Sequence, residues 1–471
     1  MYKKKSLVTS VTLALTLACC FPFQMLASAG TLDTTFNPGG TPPGTVTTTI
    51  GAFASGTEMA IQSDGKIVVV GQSSIGAAVA RYNTDGTLDA TFGTGGIVTT
   101  TVGTFSDFNS VAIQSDGKIV AAGFAIVSGN LQLLGVRYNI DGTLDTSFNG
   151  TGIVTLSIGG GNNDQAESVT IQQDGKIVFG GTADDGGISR FALARYNTDG
   201  TLDTTTFNSG GSQPGTVTTA IGTSPNSFIN GITLQTDGKI VATGSSFDGI
   251  NRFVTARYNT DGTLDTATFN SGGSQPGTIT TTIGTSAISY SVAVQQDGKI
   301  VTAGRATIAG SNQFALVRYN TDGTIDNTFG IAGVVTTPIG TFAQGEDVVI
   351  QQDGKIVVAG YATVAGSSQF VVARYNSDGT LDATFGTGGI VTTAIGTSAL
   401  SFGVALQQDG KIVVSGRATE GGVDKFAVAR YFGDLIPTPP TPNSPPTSTP
   451  TPTVTSRACS LRLINKYGPR L

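Results

Sequence analysis

The sequence predicts an all-β fold: a seven-bladed β-propeller of four-stranded antiparallel blades, its ring closed by an N-terminal strand pairing with the C-terminal blade. Three observations carry this. The phrase Q-x-D-G-K-I-V occurs seven times, with its Asp at Asp64, Asp116, Asp174, Asp237, Asp297, Asp353 and Asp409. Self-similarity of this kind decides the architecture before local propensity does. Each unit holds four short β-branched runs divided by Gly- and Asp-containing turns, with no helical periodicity beyond a turn or two. The two ends of the repeat region are also out of phase, each carrying what the other lacks.

The second unit shows the strands in order. SVAIQ (110–114) and KIVAAG (118–123) flank an Asp-Gly bend, a hairpin signal. QLLGVRYN (132–139) is the third run and GIVTLSIG (152–159) the fourth, rich in Thr and β-branched residues. A β-solenoid is the alternative, but its turns recur at shorter and more even spacing. Here the Asp-to-Asp spacing runs from 52 to 63 residues, and the variation falls between motifs, in loops. GTVTTTIG (44–51) is a spare fourth run at one end, and FAVARYFGD (426–434) stops after a third run at the other. Pairing of 44–51 with 425–431 closes the ring and removes two exposed sheet edges.

Composition narrows the chemistry. The chain has no His and no Trp, and a net charge of −6. Without His, Ser-His-Asp and Cys-His catalysis and His-ligated metal sites are excluded. The seven DGK lysines and seven RY arginines are over half of the 26 basic residues, which leaves no basic cluster for nucleic acid. Lys3, Lys4 and Lys5, the apolar run from Leu7 to Phe23, and Ala27 and Ala29 form the three parts of a secretory signal peptide over 1–29. The run is short for a membrane span. Lipidation at Cys20 is the alternative to cleavage after Ala29. Cleavage would leave Cys459 as the one cysteine, with no intrachain disulfide available. The propeller is then expected over 30–434, a Pro/Thr-rich linker over 435–456, and a short basic tail over 457–471, either an interaction tail or the start of a truncated domain. The expected protein is a monomer, secreted or held at the cell surface.

The pattern GTLDxTFGxxGxVTTxIG…VAIQxDGKIVVAG…FAVARYNxDG resembles the bacterial delta-60 repeat, an uncharacterised propeller repeat, over about residues 30–434. Its strand order is also similar to that of surface propellers whose blades read VAVSPDGKxxYV. That resemblance implies VAIQ innermost, KIVVAG second, FAVARYN third and VTTxIG outermost. It implies export and no established activity.

The RYNTDGTLD connection invites comparison with a calcium loop, which places oxygen ligands at positions 1, 3, 5, 9 and 12 and Gly at 6. With Asp85 at position 5, Asn83, Gly86 and Asp89 fit, but Arg81 falls at position 1 and Phe92 at position 12. The same defect recurs at Arg137, with Asp141 and Asp145 following it. A turn stabilised by local hydrogen bonds, with the guanidinium near Asp85 and Asp89 (and near Asp141 and Asp145), is therefore the favoured reading; a calcium site is the alternative.

Function is sought where the repeats differ. Seven residues before each DGK Asp stand Thr57, Asn109, Glu167, Asn230, Tyr290, Glu346 and Phe402. If VAIQ is innermost, these enter the central channel, and Asn109, Glu167, Asn230, Tyr290 and Glu346 are candidate ligand contacts. The variable hairpin ends FAIVSGNLQ (124–132) and TADDGGISR (182–190) are candidates for a protein or glycan partner. The leading expectation is an exported, non-enzymatic binding or scaffold propeller. The alternatives are a calcium-stabilised adhesion module and a hydrolase with a metal held by Glu167 and Glu346.

Overall fold

The computed structural model describes residues 28–160, 162–222 and 226–434. Residues 1–27 of the signal peptide expected over 1–29, with Cys20, and the segments expected as linker (435–456) and tail (457–471) lie outside the described residues.

Seven four-stranded antiparallel sheets follow one another around a ring. A first strand, β1 (Thr45–Thr48), precedes blade 1, which consists of β2 (Ala54–Ile61), β3 (Ile67–Ser73), β4 (Gly76–Tyr82) and β5 (Ile97–Thr100). Blades 2 to 6 repeat this order over 106–156, 165–219, 226–281, 287–337 and 343–393. Blade 7 supplies three strands, Ser398–Leu406, Ile412–Glu420 and Val423–Tyr431, and takes β1 as its fourth. Thr45 faces Ala429 and Thr48 faces Phe426 in that pairing. The end-to-end closure expected from the phase of the repeat is thus present, and so is the strand order.

Each DGK phrase is the bend between first and second strands. In blade 1 the Gln62 and Gly65 amides close the loop on Lys66 O and Gln62 O, and Asp64 Oδ1 accepts the Lys66 amide at 3.1 Å. Gly65 sits at φ +83, a conformation a side chain would strain.

The cores lie between blades. The cluster joining blades 7 and 1 gathers Phe36 and Val46 from the N-terminal segment, Met59, Val69 and Ala78 from blade 1, and Val413, Phe426 and Val428 from blade 7. Polar staples run through the same interfaces. In every blade but the third, the buried Tyr of the RY pair bonds a Thr of the preceding blade's outer strand, as in Tyr82 Oη to Thr48 Oγ1 (2.7 Å) and Tyr258 Oη to Thr219 Oγ1 (2.8 Å). This gives the VTT phrase a structural purpose beyond β propensity, because a buried phenol needs a partner.

Candidate functional site

Two sets of residues carry the chemistry suggested by the sequence: the RYNTDGTLD connection and the channel ring.

In the connection, Arg81 and Asp89 are both buried. Arg81 Nε donates to Asp89 Oδ2 at 2.8 Å, Lys66 Nζ reaches the same oxygen at 3.0 Å, and the guanidinium lies 4.5 Å from the centre of the Phe92 ring. Arg81 Nη1 donates to Ile140 O in the next blade. Arg137 repeats the arrangement with Asp145 (2.7 Å), Lys118 (3.0 Å), Phe148 (4.5 Å) and Thr198 O (2.6 Å). Burial pushes the Asp89 carboxyl up, but Thr91, Lys66 and Arg81 together hold it well below the usual carboxylate range. Asp145 is held down in the same way by Ser147, Lys118 and Arg137 against the effect of burial.

The expectation that the guanidinium also sits at Asp85 and Asp141 needs correction. Asp85 Oδ1 instead accepts the Thr87 amide (2.9 Å) and hydroxyl (2.6 Å), and Asp141 does the same with Thr143 (3.0 and 2.7 Å). These hydrogen bonds lower both carboxyls. Both acids of each motif make a local turn with the Thr or Ser two residues on, but only the later one, Asp89 or Asp145, also returns beneath the Arg and gives it its second oxygen. The oxygens a calcium ion would need at Asp89 are engaged by Thr91 Oγ1, Arg81 and Lys66.

The seam repeats the unit from both ends of the chain. Asp33 supplies the carboxylate for Arg430 at 2.8 Å, and Phe36 supplies the ring at 4.6 Å. Blade 6 would lack a following turn, since blade 7 ends early. There Asp434 replaces the missing carbonyl, with contacts of 3.0 Å to Arg374 and 2.7 Å to Lys355.

The channel ring has a backbone cause that the sequence did not show. Every inner strand shifts register once, and the extra residue in each is Thr57, Asn109, Glu167, Asn230, Tyr290, Glu346 or Phe402. A β-bulge re-aims its extra side chain and leaves ladder groups unpaired. All seven side chains line one cavity of about 480 Å³, within the ~300–1,000 Å³ range of ligand pockets.

Part of the ring is occupied with the bulges themselves. Thr57 Oγ1 donates to Phe108 O (2.7 Å), Asn109 Nδ2 to Ala166 O (3.0 Å) and Asn230 Nδ2 to Ser289 O (2.7 Å), each reaching into the next blade. The following residue in the strand serves the freed amides. Ser110 Oγ accepts from Val169 N, Ser168 Oγ from Ile232 N, and Asp347 Oδ2 from Val404 N. Blade 7 has Gly403 at that position, and Glu58 Oε1 turns back to accept the Met59 amide at 2.8 Å instead.

Sequence reasoning missed Glu58, Asp107 and Asp347. The signal was an acid one residue after the ring position in blades 1 and 6, and one two residues before it in blade 2. Burial raises all the channel carboxyls. It brings Asp107 to about 7, Glu167 to about 7 with help from Asp107, and Glu346 to about 8 against the opposing Gln344 hydrogen bond and Arg305 charge. Glu58 is raised well above its usual range by burial and by Asp347, and Asp347 is raised by burial against three hydrogen bonds. Glu167 Oε2 accepts from Asn109 Nδ2 at 3.0 Å, whereas Glu346 Oε1 accepts from Gln344 Nε2 at 2.6 Å. The pair expected to share a metal thus stands in blades 3 and 6 with separate partners. No group of three or more potential ligands of the His, Cys, Asp and Glu type assembles among the described residues.

Comparison with known proteins returns the same architecture. The family described as a domain of unknown function (DUF5122) beta-propeller matches seven times, over residues 62–92, 114–148, 172–205, 235–267, 295–329, 351–385 and 407–435. No curated protein matches the sequence. Among solved structures, a gluconolactonase from Xanthomonas campestris is 14% identical, with 67% of this chain and 85% of that chain covered and a TM-score of 0.37. An ulvan lyase of a polysaccharide lyase family is 13% identical (80% and 94% covered, TM-score 0.44). A glucose dehydrogenase is 10% identical (82% and 99% covered, TM-score 0.41). At these identities the likeness is one of fold. It nevertheless corrects the expectation of a protein without catalytic activity, because propellers matched here include enzymes and the architecture gives no ground for excluding catalysis.

Proposed function

For this chain, which belongs to a β-propeller repeat family by seven matched units, we propose the delta-60 repeat assignment and a role as an exported propeller that binds a small polar ligand in its central channel. One observation carries the reading. Seven backbone-equivalent bulges present seven side chains to one cavity, and those side chains are acids, amides, aromatics and a hydroxyl, whereas the DGKIV and RYN phrases that frame each blade are nearly uniform. A position held constant in backbone and varied in side chain is what a binding site on a repeat scaffold requires. The three-part N-terminal segment supports export, and the Pro/Thr run supports display of the propeller on an extended spacer.

A thermal-shift screen of the full chain against neutral sugars, sugar acids and free amino acids tests this. The expected result is a stabilising ligand whose effect is abolished by Glu167→Leu and retained by Asp185→Ser on an outer hairpin. A ligand whose effect survives Glu167→Leu but not Asp185→Ser would move the site off the channel. Fractionation of cells expressing the full chain tests export, which fails if the protein stays in the cytoplasm.

A further inference from the structure

Among the described residues, every Lys and every Arg but one lies within ion-pair distance of a carboxylate. The exception is Arg305, on the second strand of blade 5. Its hydrogen-bond partner is neutral: Nη1 donates to Gln344 Oε1 at 3.0 Å, and Gln344 Nε2 donates in turn to Glu346 Oε1 at 2.6 Å. The amide is fixed at both ends, so it orients the guanidinium while leaving its charge and its other N–H groups uncommitted. A partly buried cation without a counter-ion is a burden on the fold unless something else supplies the anion.

The neighbours of Arg305 are also uncommitted. In the strand register, Arg305 is equivalent to Tyr361 in blade 6 and Arg417 in blade 7, opposite Ile288, Gln344 and Leu400. Blades 1 to 4 carry Gln72, Phe124, Thr182 and Ser245 there. The hydroxyls of Tyr290 and Tyr361 have no hydrogen-bond partner among the described residues, unlike Thr57, Asn109 and Asn230 in blades 1, 2 and 4. Tyr361 stacks on Phe342 (5.9 Å between centroids, 22° between planes) and meets the edge of Phe402 at 6.3 Å. Tyr290, Glu346 and Phe402 line the channel cavity; Arg305 reaches Glu346 through Gln344, Tyr361 reaches Phe402, and Arg305 and Glu346 act electrostatically on both phenols, so the groups gather beside one arc of the channel.

Resting on the channel-binding reading, we propose that this arc, Arg305 with Tyr290, Tyr361, Phe342 and Phe402, binds a saccharide unit carrying a carboxylate. The guanidinium takes the carboxylate, the phenols take ring hydroxyls, and the aromatic surfaces take the apolar face of the pyranose. Glu346, whose carboxyl burial raises to about 8, does not oppose the anion at neutral pH.

Isothermal titration of the full chain with D-glucuronate, D-glucose and benzoate provides the test. Binding of glucuronate at least tenfold tighter than glucose and benzoate, lost by tenfold or more in Arg305→Gln, is the expected result. Circular dichroism checks that the variant folds, and Tyr361→Phe, which removes only a hydroxyl, should weaken glucuronate by several-fold. Equal binding of glucose and glucuronate overturns the anion assignment, and equal binding of benzoate overturns the saccharide. Absence of glucuronate binding overturns the proposal; if a neutral ligand still binds and is lost in Glu167→Leu, the channel reading stands without it.

Discussion

Replacing Asp33 by Asn probes the buried ion pair and the ring closure together. Asp33 and Arg430 lie 397 residues apart, yet Asp33 is fully buried and Arg430 is 5% exposed. Asp33 Oδ2 receives Arg430 Nε at 2.9 Å and Nη2 at 2.8 Å, while Oδ1 accepts the Thr35 amide at 3.0 Å and its hydroxyl at 2.6 Å. An Asn keeps the Thr35 bonds with its carbonyl and so turns its NH₂ towards the guanidinium, donor against donor. Arg430 then stays buried without a counter-ion. Removing one partner of a buried pair costs about 3–5 kcal/mol. The Lys411 contact, 3.5 Å away and partly exposed, adds at most about 1 kcal/mol. Equilibrium urea unfolding, followed by circular dichroism and Tyr fluorescence since the chain has no Trp, should show a loss of ~3–5 kcal/mol. Asp89→Asn, the same chemistry inside blade 1, should lose a similar amount. In a double-mutant cycle, adding Arg430→Met to Asp33→Asn should recover part of the loss, because no charge is left stranded. A loss below about 1 kcal/mol, or strict additivity in the cycle, would refute the reasoning.

Further outcomes follow from the same geometry. Asp33, Asp89, Asp145, Asp203, Asp265, Asp326 and Asp382 are all held below the unfolded carboxylate value. Their stabilisation is therefore present above pH ~3.9 and lost as pH falls through that value towards the folded ones; the urea midpoint should drop steeply below about pH 4, and less so in Asp89→Asn. Glu346 has the opposite sign: its folded pKa, about 8, exceeds the unfolded ~4.3, so it removes stability as pH rises between them. Glu346→Gln should accordingly be more stable than the parent at pH 9 and no more stable at pH 4. Gly403→Ala would place a methyl 2.5 Å from Glu58 Oε1 and displace the acceptor of the Met59 amide; a loss of about 1–3 kcal/mol is expected in urea unfolding. Calcium or a chelator should leave the melting temperature unchanged, because Arg81 and Lys66 already neutralise Asp89; a rise with calcium, as ligand linkage requires of a specific site, would restore the calcium-loop reading.

The architecture was legible in the sequence because a propeller is a local unit repeated. The DGK bend, the alternation of β-branched residues and the misphased ends each follow from short-range rules, and Thr48 opposite Phe426 is the pairing those ends require. The seven channel positions were legible too, since a constant offset from Asp64 and its equivalents marks one place in every blade. Other features needed the fold. No spacing announces the bulge at Thr57, because a bulge is a mismatch with a partner strand. The division of labour between Asp85 and Asp89 depends on the chain returning beneath Arg81. That Asp434 stands in for a missing carbonyl, and that Arg305 lacks the counter-ion all other described cations have, are facts about neighbours brought together from distant segments. By itself the sequence determined the number of blades, their strand order and the place where the ring closes, because these rest on hydrogen-bonded turns and periodicity. The tertiary structure alone decided which charged groups are satisfied and which are left for a ligand, because desolvation and pairing are set by what packs around a side chain.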